Sequence, residues 1–329
     1  METTIEQKQP IQTQLDPCDG NQTINIYISK RPWETDEIRD AYCWIVKFLI
    51  EHAEIEYHLY LEESLKDHKG TIPYLNNPRC HIFTLIGEVD AKVHYAITIG
   101  GDGTVLWAHK VFGELDQPIY LCFSGGSLCF LSVYDIGEVE SVMSFFHARL
   151  TEKKAFRTKK YPRLYSHICN TDECSTVKKF ALNDIVIERS TPSMVILDLY
   201  LDDCFAVQIR SDGLLISSST GSTAYNLSLA NGIIMHSDLE CMIINPMASM
   251  SLSSRPIVVP SNVKVKIVCS MESRPDARLV YDGMDALLFT KGYSLVIESA
   301  PVKAQVIVPD DNNEYESWIT KLRELRGWK

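Results

Sequence analysis

Gly100-Gly101-Asp102-Gly103-Thr104 combines the residue types that phosphate chemistry needs, at the spacing it needs. Glycines let a backbone turn tightly and approach a ligand closely. Free N–H groups where a helix begins favour phosphate oxygens. An aspartate held there can accept a hydroxyl proton or organise a magnesium ion. The plain alternative is a tight turn with glycine at positive φ. No Lys-Ser/Thr pair follows the glycines, so this is not a Walker loop. A second candidate is Asn183-Asp184, an amide beside an acid, fit to read a nucleoside through its ribose hydroxyls. Taken alone, a polar pair opening a strand is the more ordinary reading. The third is the run over residues 212–225, DGLLISSSTGSTAY, whose small and hydroxylated residues precede a helix start. Such a run offers a polar surface for a sugar or phosphate. A flexible serine-rich linker fits it less well, because an apolar strand enters and a capped helix is expected to leave.

The elements around these segments follow from periodicity. Ile24, Ile26 and Ile28 alternate with polar residues as a strand does. Thr35-Asp36-Glu37 opens a helix that continues through Ile38, Tyr42, Ile45, Val46 and Leu49. Residues 56–61, 94–99 and 119–123 read as further strands, and 139–150 as a helix. The strand over 94–99 delivers the chain straight into the glycines. Such alternation predicts an α/β layer on a parallel sheet, whose ligands bind beyond the strands' carboxyl ends. After about residue 160 the texture changes. Short strands are expected over 181–188, 194–201, 205–209, 241–244, 263–269, 278–281 and 293–298, punctuated by turn residues. One helix is expected after Ser222, ending at Asn231-Gly232, and an amphipathic one over 314–325.

The bulk properties exclude several classes. The chain has 329 residues, 45% of them apolar, enough for two domains. A net charge of −11 argues against a general nucleic-acid binder and against an anionic-membrane protein. No apolar run reaches the roughly 18 residues of a membrane span. The ten cysteines are scattered without a CxxC pair, so reduced thiols in a cytoplasmic protein are expected rather than a metal site. Residues 1–22 are polar and acidic, unlike a secretory or mitochondrial leader, and are expected to be a disordered arm.

The chain resembles the NAD kinases. GGDGT at 100–104, LNDIVIERS at 182–190, DGLLISSSTGSTAY at 212–225 and SLSSRPIVVP at 251–260 look like that family's signature blocks, in its order. FSGGSLCFL at 123–131 and Tyr281-Asp282-Gly283 match two further segments. The resemblance implies a Rossmann-like α/β domain over 23–155, a β-sandwich-like, NAD-binding domain over 156–305, and an active site between them. It also implies a C-terminal helix within 306–329 packed back on the N-terminal domain. It implies ATP and NAD as substrates, Mg²⁺ carried by the nucleotide, and a homo-oligomer, dimer or tetramer. By the same resemblance Asp102 is the proton acceptor. Gly100, Gly101, Gly103 and Thr104 line its loop, and Asn183 and Asp184 contact NAD. Arg210, Asp212, Thr223, Ala224, Tyr225, Ser228 and Asp282 border the dinucleotide. Three positions depart from the family's pattern: Asp184 where Glu is usual, Ser219 for proline, and Cys129 for glycine. GGDGT alone is shared with diacylglycerol and sphingosine kinases, but the polar TGSTAY block does not suit a greasy acceptor channel. A non-catalytic dinucleotide sensor would have no need of Asp102.

Overall fold

The structure is a computed structural model that describes residues 23–32, 35–52, 54–84, 92–113, 117–125, 129–170, 178–229, 231–251, 254–311 and 313–327. The expected arm over 1–22 lies outside the described residues, as do 126–128 of the FSGGSLCFL block and Leu252-Ser253. Two compact units emerge. One holds the described residues up to Ala108, Pro118–Lys159 and those from Gln305 onward. The other holds His109–Gln117 and Lys160–Ala304.

The first unit is built on a sheet of eight strands. β1 (Thr23–Lys30), β2 (Glu56–Glu62), β3 (Cys80–Phe83), β4 (Tyr95–Gly100), β5 (Ile119–Ser124) and β6 (Tyr134–Asp135) precede β7 (Thr158–Tyr161) and the late strand β20 (Ala304–Ile307). Their order is β3-β2-β1-β4-β5-β20-β7, with β6 also beside β5. The pairs β1/β2, β1/β4, β2/β3, β4/β5 and β5/β20 are all parallel. β4 is buried along its whole length, as a central parallel strand must be. Helix α1 (Asp36–Glu51) starts at Thr35, whose hydroxyl accepts the Ile38 N–H at 3.4 Å. Its Ile38, Tyr42, Ile45, Val46 and Leu49 join the core with Val142, Met143, Phe146 and Leu150 of α3 (Val139–Thr151). Helix α2 (Asp102–Phe112) begins two residues after β4 ends. The last helix, α5 (Glu314–Arg326), is capped by Asn313 and stopped by Gly327 at φ 61°. Its Glu314 pairs with Arg157 at 3.3 Å and Lys159 at 3.6 Å, and Leu322 is buried.

The second unit is a sandwich of two antiparallel sheets. One has the order β15-β14-β13-β10-β17-β18 and the other β12-β11-β16-β19-β8-β9. The strands are β8 (Leu164–Cys169), β9 (Lys179–Ala181), β10 (Asp184–Arg189), β11 (Val195–Leu201), β12 (Cys204–Ser211) and β13 (Gly213–Ser218). They continue as β14 (Cys241–Met247), β15 (Ile257–Pro260), β16 (Val265–Cys269), β17 (Ala277–Tyr281), β18 (Met284–Phe289) and β19 (Ser294–Ser299). Inward residues of both faces, among them Leu197, Ile267, Ile187 and Leu214, form one core.

Three local expectations change. The single strand expected over 181–188 is two, broken at Leu182-Asn183, whose N–H groups turn to the Asp282 carboxylate instead of a neighbouring strand. The helix expected after Ser222 is a 3₁₀ turn, Thr220–Thr223, and one α-turn, α4 (Tyr225–Ser228). Side chains pin this segment in place of a helical ladder: the Asn226 amide donates to Ser222 O at 3.3 Å and Ile233 O at 2.9 Å. The thiols are not all reduced, because Cys169 is disulfide-bonded, while seven other described cysteines are free.

Candidate active site

Two aspartates, one in each unit, are held in the same way. Asp102 opens α2 and is half-buried. Its Oδ2 accepts the Phe130 N–H at 2.8 Å, and its Oδ1 accepts those of Leu131 at 2.9 Å and Ser132 at 3.4 Å. A carboxylate has about four acceptor sites, so one on Oδ2 remains open among the described residues. Burial pushes the Asp102 carboxyl above its ordinary range. The three N–H groups and the Lys321 ammonium oppose that shift. Gly100, just before, sits at φ 154°, and a Cβ there would lie 2.4 Å from the Thr104 hydroxyl. The close approach of Gly100 to Thr104 is therefore open only to glycine. Gly103 is exposed with nothing within 4 Å of a Cβ position, leaving open space over the first turn of the helix.

Asp282 is the counterpart in the second unit. Its Oδ2 accepts the Leu182 N–H at 2.7 Å, and its Oδ1 accepts those of Asn183 at 2.7 Å and Asp184 at 3.0 Å. It sits at φ 49°, in the left-handed region that Asp tolerates better than most residues. The clamp displays Asp184, which is buried and has no hydrogen-bond partner for its carboxyl among the described residues. Burial and then the charge of Asp282 raise Asp184 to about 7. Burial likewise raises Asp282 to about 6, against its three N–H donors and the charge of Arg163.

The serine-rich run serves this clamp. The hydroxyls of Ser217 and Ser218 donate to Asn183 O at 3.2 Å and Leu182 O at 2.6 Å. Gly221 packs so closely that a Cβ would lie 2.3 Å from Asn183 O. Ser222 bonds to Met235, and Ser219, at the family's proline position, donates to Ser237 O at 3.0 Å. These hydroxyls are therefore spent on the protein and do not offer the free polar surface expected of them. What stays accessible is Thr223, Ala224, Tyr225 and Ser228. The charges of Glu188 and Asp184 reach the Tyr225 phenol. Arg210 and Asp212 are not brought into hydrogen bonds with these residues among the described ones. Arg210 faces Glu272 at 3.7 Å, and Asp212 pairs with Arg189 at 2.8 Å. Sequence reading missed the backbone donors of 130–132 as partners of Asp102, and it missed Arg163 and Lys321 altogether. Only the FSGGSLCFL block hinted at the first.

A parallel-sheet unit with an acid at a strand's carboxyl end, and an antiparallel unit displaying a clamped amide-acid pair, define a two-domain nucleotide-handling protein. Family models agree. The ATP-NAD kinase N-terminal domain matches residues 44–149 and the ATP-NAD kinase C-terminal domain matches 182–308. This chain belongs to the ATP-NAD kinase family, whose members are phosphotransferases. It is 30% identical over 312 residues to a mitochondrial NADH kinase of Schizosaccharomyces pombe, covering 92% of this chain and 75% of that one. It is 35% identical over 245 residues to an NAD kinase of Azotobacter vinelandii, covering 74% and 78%. Among solved structures, a yeast NADH kinase complexed with NADH superposes with a TM-score of 0.81 at 25% identity, over 94% of this chain and 89% of that one. An Archaeoglobus fulgidus NAD kinase in complex with ATP shares the fold, with a TM-score of 0.64 at 19% identity over 92% and 99%.

Proposed function

We propose that this protein transfers the terminal phosphoryl group of ATP to the 2′-hydroxyl of the adenosine ribose of NAD, giving NADP. The observation that carries this reading is Asp184, a buried carboxyl without a protein partner among the described residues, held in place by three N–H hydrogen bonds from its own segment to the Asp282 carboxylate. The Asp184 carboxyl oxygens are not among the sealed side-chain atoms that lack a partner, so they stay open to a ligand's hydroxyl groups. Asn183-Asp184 therefore grips NAD, with Thr223, Ala224, Tyr225, Ser228 and Asp282 bordering the dinucleotide. Arg210 and Asp212 contribute through the ion pairs that fix the turn between β12 and β13.

Asp102 receives the hydroxyl proton at the open acceptor site of Oδ2. Its raised pKa makes it a better base than an exposed aspartate. Gly100, Gly101, Gly103 and Thr104 keep the backbone close to the donor phosphates. Catalysis is mainly positioning and electrostatics, as in other phosphoryl transfers. No group of three acidic, His or Cys side chains fit to hold a metal occurs among the described residues. Mg²⁺ carried in by ATP is part of this reading, where it would neutralise phosphate charge. A homo-oligomer is part of this reading, supported by the edge strand β12, which exposes Phe205 and Val207. A cytoplasmic location is also part of this reading, supported by the seven free cysteines among the described residues and opposed by the disulfide-bonded Cys169.

NADH as acceptor is the second reading, favoured by the NADH kinases among the relatives. Purified protein incubated with Mg-ATP and either NAD or NADH tests both, with NADP and NADPH quantified separately. Turnover of a diacylglycerol or sphingosine in place of both dinucleotides overturns the proposal.

A further inference from the structure

Lys321 belongs to none of the sequence blocks, yet it meets Asp102 across one shared residue, Ser132. It lies seven residues after Glu314 on α5, hence on the same face two turns later. Glu314 is tied to Arg157 and Lys159, and Leu322 is buried beside it, so the face carrying Lys321 is fixed in the first unit. The Lys321 ammonium donates to Ser132 O at 3.2 Å. The N–H of the same Ser132 donates to Asp102 Oδ1 at 3.4 Å. Ser132 is thus gripped at its carbonyl by the cation and at its amide by the acid. Each charge also acts on the other group. Burial lowers Lys321 and the Asp102 charge raises it, while burial raises Asp102 and the Lys321 charge lowers it. The other titratable groups facing this pair are Cys122 of β5, Cys129, and Lys159 of β7. The Cys122 thiol, pushed up to about 12 by burial, stays uncharged. Lys159 is engaged with Glu314.

We propose that Lys321 is a positioning residue for Asp102, holding the 130–132 turn against its carboxylate and supplying its counter-charge. The role rests on the reading of Asp102 as the proton acceptor. The terminal helix then serves the active site as well as the fold, since its loss would leave the acid without its cation. A neighbouring opposite charge shifts a carboxyl by about one to three units, so removing this partly exposed one is expected to raise Asp102 by about one unit.

The test compares Lys321→Met, Lys321→Gln and Lys321→Arg in the full chain. The Asp102 carboxyl is titrated by carbon-13 NMR, its resonance assigned by its loss in Asp102→Asn. The Met and Gln variants are expected to raise the Asp102 midpoint by about one pH unit, and Arg to leave it near the parent value. Gln keeps a donor for Ser132 O without the charge, and it replaces Met in the comparison if Met fails to fold. In the kinase assay, the acid limb of the kcat profile is expected to move up by the same amount in Met and Gln. The KM for NAD is expected to stay within about twofold, with Arg restoring most of the rate. An unmoved midpoint in both Met and Gln overturns the proposal, as does an Arg variant as impaired as Met. The NMR titration needs no turnover. A fully active Asp102→Asn enzyme would therefore mark the failure of Asp102 as base, separately from any failure of the Lys321–Asp102 coupling.

Discussion

The backbone N–H of Asp282 donates to Asp184 O at 3.0 Å, and the Asp282 carboxylate accepts the N–H of Asp184 at 3.0 Å. Two acids are locked together by this reciprocal pair of bonds, although 98 residues separate them. One carboxyl is spent on holding the backbone, and the other has no hydrogen-bond partner among the described residues.

Asp282→Asn tests that division. Asparagine tolerates φ 49° but turns an amide N–H₂ towards at least one of the three donors. Losing one buried acceptor costs roughly 1–3 kcal/mol. The variant is expected to unfold earlier in denaturant by that amount and to raise the KM for NAD about tenfold, equivalent to about 1.4 kcal/mol. Parent-like KM and stability would show that the carboxylate does not position Asn183-Asp184.

Stability should fall with rising pH across the window set by the acid pair. Both carboxyls stay protonated in the folded chain above their ordinary value of 3.8, Asp282 to about 6 and Asp184 to about 7. The folded state therefore binds more protons than the unfolded one in that range. The stabilisation is complete below 3.8 and is lost as pH rises through about 6 and then about 7. Thermal unfolding of the ligand-free protein between about pH 5 and 8 should show a declining Tm. Asp184→Asn should flatten the decline. A slope of the opposite sign, or one that Asp184→Asn leaves intact, refutes the linkage.

Glycine replacements should separate packing from ligand approach. Gly221→Ala sets a Cβ 2.3 Å from Asn183 O, so the clamp must shift, and both Tm and turnover should drop. Gly103→Ala meets nothing within 4 Å and sits in the exposed first turn of α2, where alanine favours the helix by up to about 1 kcal/mol. Its Tm should hold or rise. A loss of turnover with that Tm intact would mean the Gly103 backbone comes close to a phosphate. A loss of Tm would contradict the open space seen there.

Asp102→Asn should lower kcat about a hundredfold or more, the scale of losing a positioned base, while NAD still binds. Binding is read by calorimetry on the ligand with the folded variant. Retention of more than about a tenth of kcat would assign the proton to another group.

Legibility in the sequence followed the range of the interactions. The α1 stripe, the Thr35 cap and the strand delivering Asp102 to the head of α2 were all readable, because periodicity and capping act within a few residues. The signature blocks around Asp102, Asn183-Asp184 and Asp282 named the acids. They did not say what holds them. β20 joins the parallel sheet beside β5, far away in the chain, and no local signal announces that pairing. The run over 212–225 read as a ligand surface because its hydroxyls were visible. Only the fold shows that Ser217, Ser218, Ser219 and Ser222 spend those hydroxyls on the chain itself. No local signal singles out Lys321, which becomes notable only because the fold brings α5 to the 130–132 turn. The sequence by itself determined which groups are candidates to carry the chemistry, since side-chain type and local spacing are written in it. Tertiary structure decided their partners, burial and protonation, because those depend on residues tens to hundreds of positions away that only the folded chain brings within reach.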